Sequence, residues 1–84
     1  MEYLVVHFDE DRGVIIDSAP GAWRTNKTLI LQAGTHIIEL ALPANYSPAS
    51  IEIELTDTTP LQPYEITFTL TKPKNPPSQG RVTP

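Results

Sequence analysis

The run Ile51-Glu52-Ile53-Glu54-Leu55 alternates apolar and charged residues with a period of two. In an extended chain successive side chains point to opposite faces, so the run puts three aliphatics on one side and two carboxylates on the other. Segment 64–71 repeats the device, with Ile66, Phe68 and Leu70 set against Glu65, Thr67, Thr69 and Thr71. Segment 35–42 does so again, with Ile38, Leu40 and Leu42 behind His36. Segments 3–8, 13–17 and 28–32 are shorter and more uniformly apolar, as expected of strands covered on both sides or lying at the centre of a sheet. None of these runs holds a three-four spacing, so no helix is expected. The pattern predicts an all-β chain: a single small antiparallel β-sandwich of immunoglobulin or transthyretin-like type, with six or seven strands.

The residues between the runs predict the connections. Asp9-Glu10-Asp11-Arg12-Gly13 joins the first two strands and ends on a glycine, which predicts a hairpin with a positive φ at Gly13. Ala33-Gly34 predicts a tight turn that makes the strands on either side antiparallel neighbours. Segments 43–48 and 57–63 are bracketed by prolines and read as loops. Ser18 to Lys27 is the longest internal connection and carries Trp23, the single tryptophan. Past Thr71 the composition turns to lysine, proline and polar residues, so the sandwich is assigned to residues 1–71 and a Pro-rich disordered tail to 72–84.

A chain of 84 residues holds one domain, and at this size only about 60 to 65% of the unfolded chain's surface is buried. With no cysteine, neither a disulfide nor a thiolate metal site can help. The aliphatic core must therefore hold the fold, with Ile38, Ile53 and Phe68 as its expected members. The six basic residues are scattered and the net charge is -4, which leaves no basic stripe for nucleic acid. No apolar run approaches the roughly 20 residues of a membrane-spanning helix, and the N-terminus lacks the cationic start of a signal peptide. If Met1 is the true start, the expected location is cytoplasmic; for an excised domain it is the cell envelope or surface.

The order Val14-Ile15-Ile16-Asp17, a loop, Leu29, Leu31, Gly34, His36, Ile38 and Leu40, then Tyr46 and Ile51-Glu52-Ile53, resembles the PEGA domain family over residues 12 to 71. Its most specific part is 29–40, where Gly34 and His36 both fall on the family's L-x-L-x-x-G-x-H-x-V-x-V pattern. The tetrapeptide that names the family is missing ahead of Val14, Ser18 stands where the family turns with glycine, and Asn45 replaces the glycine before Tyr46. The resemblance implies a small β-sandwich without catalytic residues. Such modules are accessories in bacterial or archaeal surface and envelope proteins, or beside signalling domains.

The candidate chemistry is sparse. His7 and His36 lie in strands with no carboxylate at ligand spacing, so no metal or cofactor is expected, and His36 reads as a ring over the sheet end bonded to a loop carbonyl. Asp9, Glu10 and Asp11 lack the rest of a calcium-loop pattern and read as a solvated hairpin tip. There is no Gly-x-Ser-x-Gly elbow, phosphate loop or cysteine nucleophile, so the chain is read as non-enzymatic. Trp23, with Arg24 and Asn26 beside it and Tyr46 in another loop, is either a lid on the core or a platform for carbohydrate or cell-wall polymer. Thr67, Thr69 and Thr71 form an uncharged, β-prone outer face, which points to edge-to-edge pairing with a protein partner or with a second copy. Three readings follow: an interaction module that presents an edge strand or loops, a carbohydrate-binding module, and a structural spacer.

Overall fold

The period-two runs become strands that divide between two layers. The computed structural model describes residues 1–71, and the tail assigned to 72–84 lies outside them. In chain order the strands are β1 (Glu2–His7), β2 (Gly13–Ile16), β3 (Ala19–Arg24), β4 (Thr28–Leu31), β5 (Gly34–Leu40), β6 (Tyr46–Ser47), β7 (Ile51–Leu55), β8 (Tyr64–Thr67) and β9 (Thr69–Leu70). One sheet has the order β4-β1-β8, the other β3-β2-β5-β7, and β6 and β9 form a short ribbon. The fold is an all-β, sandwich-like domain. All its ladders are antiparallel except β1 with β8, which run parallel.

The alternation fixes what each layer buries. Leu4, Val6, Leu29, Leu31 and Ile66 point inward from the first sheet, and Val14, Ile16, Ile38, Leu40, Ile53 and Leu55 from the second. Phe8 and Phe68 complete the same buried cluster. Ile38, Ile53 and Phe68 are 0%, 3% and 1% exposed, as expected of residues that hold a core without disulfides. Each such side chain contributes about 1.5 to 3 kcal/mol through burial.

Three expected connections differ. β1 and β2 are not a hairpin but lie in different sheets. The segment between them crosses from layer to layer, held by Thr25 Oγ1, which accepts from Arg12 N–H at 2.9 Å and donates to Glu10 O at 2.7 Å. Gly13 consequently has no positive φ. Nor are β4 and β5 neighbours: the chain bends at Gly34, φ 126°, and passes from the first sheet to the second. The third difference is β3, which occupies the segment read as a loop. It pairs with β2 through Asp17 and Ser18, whose φ values of 54° and 65° are those of a two-residue primed turn.

Candidate functional site

Arg12, 7% exposed, closes one end of the sandwich. Its Nη1 donates to Ala41 O at 3.3 Å, Pro43 O at 2.9 Å and Asn45 Oδ1 at 2.8 Å, its Nη2 pairs with Glu10, and the guanidinium lies 5.0 Å from the Phe8 ring centroid. Tyr46 sits beside it, edge-on to Phe8 and Phe68 with ring centroids 6.3 and 5.4 Å away. The Tyr46 hydroxyl donates to Leu40 O at 2.8 Å. Asn26, at φ 64°, closes on Phe8, accepting from its N–H at 3.2 Å and donating to its carbonyl at 2.9 Å. A long-range backbone pairing has been replaced here by a side-chain amide that satisfies both main-chain groups. The polar groups of Asn26 and Tyr46 are therefore committed to the fold.

His36 bridges the layers at the other end. Its Nδ1 is 2.7 Å from Asp17 Oδ2 and its Nε2 is 2.8 Å from Gln32 O. Both partners are acceptors, so only the doubly protonated ring satisfies both. Burial pulls the imidazole toward its neutral form, but the bonds to Gln32 O and Asp17 outweigh it and raise the His36 pKa above its ordinary value. Asp17 is held below the usual carboxylate range, first by the Ile37 N–H at 2.9 Å and then by His36. The expected bond from His36 to a loop carbonyl is thus present, with a carboxylate in addition. His7 lies in the other sheet, 2.7 Å from Glu65. Among the described residues no three His, Cys, Asp or Glu side chains cluster as metal ligands.

A cleft of about 380 Å³ opens beside this clamp, between β3 and β4, lined by Met1, Asp17, Trp23, Ile30, Leu31 and His36 among others. Trp23 reaches it because Gly21, two residues earlier on the same face of β3, has no side chain. A Cβ there would meet the indole at 2.9 Å. The ring packs against the core edge and also borders the cleft. Of the other residues considered for ligand binding, Arg24 donates from Nε to Asp11 at 3.1 Å, and neither Asn26 nor Tyr46 lines the cleft.

Among the described residues, the backbone bonds determine which strand edges are left unpaired. Val6 O accepts from Asn26 N–H and His7 O from Phe68 N–H, so even residues of β1 face β4 and odd ones face β8. By register, Leu29 and Leu31 turn their main chain to β1, while Thr28 and Ile30 turn theirs outward. Asp17 N–H donates to Ile37 O, so odd residues of β5 face β2 and the outward groups of β7 belong to Glu52 and Glu54. On β8 the outward residues are Glu65 and Thr67.

The three threonines expected to form one open edge are divided. Thr67 is on β8, but Thr69 pairs with Ser47 of β6, and Thr71 N–H donates to Asn45 O at 2.9 Å. The opening on β8 is only two residues wide and carries Glu65. β7 carries two glutamates, and β3 carries Pro20 and a register shift. Charge, proline and bulges are the usual means of blocking edge pairing. β4 has none of them within it: its outward residues are Thr28 and Ile30, the latter 54% exposed, with Lys27 just before the strand. The uniformly apolar run of β4 is the pattern expected of a strand covered on both sides or lying at the centre of a sheet, and only the sheet order reveals it as an edge. No family model matches the chain, and no curated protein or solved structure matches it.

Proposed function

We propose that the domain is a non-enzymatic interaction module that captures an extended segment of a partner protein by strand addition at the edge of β4. The observation that carries this reading is the contrast among the outer strands. β3, β7 and β8 bear proline, a register shift or glutamate, whereas Thr28-Leu29-Ile30-Leu31 is β-prone and uncharged, with outward N–H and C=O groups at Thr28 and Ile30. Strand addition takes its affinity from such main-chain groups and its selectivity from alternate side chains. A PEGA-like accessory role for residues 12 to 71 is part of the same proposal. The carbohydrate reading has less support, because of Trp23, Arg24, Asn26 and Tyr46 only Trp23 borders the cleft.

The test is selection of random nonapeptides displayed on phage against the domain, followed by binding of the selected peptides to Ile30→Lys, which installs the missing guard. Ile30 is on the solvent face, so the variant should keep its stability within about 0.5 kcal/mol. The expected result is a set of peptides that bind the parent and lose at least about tenfold in affinity for Ile30→Lys. Recovery of no peptide, or of peptides that bind both proteins equally, overturns the reading.

A further inference from the structure

We infer that the cleft between β3 and β4 is the anchor pocket of this edge, and that it takes one bulky, uncharged apolar side chain from the docked segment. The inference rests on the strand-addition reading and specifies the chemistry of the occupant. A strand added to β4 continues its alternation. Its residues opposite Thr28 and Ile30 face solvent. Those opposite Leu29 and Leu31 turn into the gap between the layers, where the cleft lies.

The lining selects for apolar character. Trp23, Leu31, Ile16 and Met1 supply the walls, and the volume of about 380 Å³ falls within the range of roughly 300 to 1,000 Å³ usual for ligand pockets. The two ionisable side chains at the rim, Asp17 and His36, are spent on each other and on Ile37 N–H and Gln32 O. A charged side chain in the cleft would lose hydration against these apolar walls, and neither Asp17 nor His36 is free to pair with it. A large aliphatic or aromatic one removes apolar surface from water on both sides.

The occupant is a foreign segment, not a second copy of this chain. Two copies paired β4 to β4 would set Leu29 and Leu31 of each opposite those of the other, and these side chains are each 6% exposed in their own core. The cleft would stay empty. The shared ribbon would be four residues long, about 13 Å, with no side chain of either copy entering the cleft of the other.

The test uses synthetic peptides Ac-Lys-Thr-Val-Thr-X-Thr-Val-Lys-NH2, with X as Phe, Leu, Ala or Asp, titrated into the ¹⁵N-labelled domain. The amides of Thr28 and Ile30 report edge docking, and the Trp23 indole N–H reports the cleft. Both sets of signals should move together, with Phe and Leu binding about tenfold or more tighter than Ala and Asp weakest. Shifts at Thr28 and Ile30 with no dependence on X, and none at Trp23, overturn the anchor and leave strand addition standing. Shifts at Trp23 without the edge amides overturn both, since the cleft then binds side chains with no strand added. No shift with any peptide overturns both as well.

Discussion

At one end of the sandwich a guanidinium is buried among Ala41 O, Pro43 O and Asn45 Oδ1, with Glu10 on its other nitrogen; at the opposite end an imidazole bridges Asp17 and Gln32 O beside an open cleft. Both devices tie segments distant in sequence. They differ in what ionisation does to them. The Arg12 end is closed by a planar guanidinium fork that also donates to neutral oxygens, Ala41 O, Pro43 O and Asn45 Oδ1. The His36 bridge is complete only while the ring is cationic and Asp17 anionic, and it closes just one side of a gap left open between β3 and β4. A small domain without disulfides has concentrated its permanent polar closure at one end and left the other adjustable.

Exchanging Arg12 for Met should produce the largest effect, because it removes the donor and leaves Glu10 and three other acceptors facing an apolar side chain. A loss of about 3 kcal/mol, read as a fall in the urea midpoint, is expected. His36→Gln at the other end should cost about 1 kcal/mol. Equal losses would mean that the two ends are closed alike. Tyr46→Phe, which deletes the bond the hydroxyl donates to Leu40 O at 2.8 Å and the longer one it accepts from Leu40 N–H at 3.3 Å, should also cost about 1 kcal/mol and add to the Arg12 end's share.

The pH dependence sharpens the same contrast. His36 has a folded pKa raised above 6.5, so its contribution is complete below that value and is lost as pH rises through the folded value. Asp17 has a folded pKa depressed below 3.8, so its contribution is complete above that value and is lost as pH falls through the folded one. The bridge is therefore strongest between the two ordinary values. The stability difference between the parent and His36→Gln should shrink as pH rises from 6 to 9, whereas the difference between the parent and Arg12→Met should not change over that range. The smallest expected effect on stability is that of Ile30→Lys, within about 0.5 kcal/mol, with its consequence seen in binding instead.

The core was legible because burial imposes a period on the sequence. The run 51–55 reads as a half-buried strand, and Ile53 and Leu55 are at 3% and 0% exposure. Connectivity was not legible in the same way. β3 contains Ala19-Pro20-Gly21-Ala22, which has little β-propensity and buries almost nothing, and it is a strand because the Asp17-Ser18 turn lays it along β2. Arg12 sat in an acidic loop with no sign that acceptors 29 to 33 residues away would surround it. Of the loop residues with candidate binding groups, Trp23 borders the cleft, whereas Asn26 and Tyr46 hold Phe8 and Leu40 in place. The missed edge has the clearest cause. A uniformly apolar run of four residues looks the same whether its strand is central or outermost, and only the sheet order separates the two.

The proposed function depends on β4 presenting unpaired main-chain groups, and residue-by-residue amide hydrogen exchange tests that directly. Within β4 the account predicts an alternation: slow exchange at Leu29 and Leu31, whose N–H groups face β1, and fast exchange at Thr28 and Ile30, whose N–H groups face solvent. Protection at Ile30 equal to that at Leu31 would contradict it, because the edge would then already be paired.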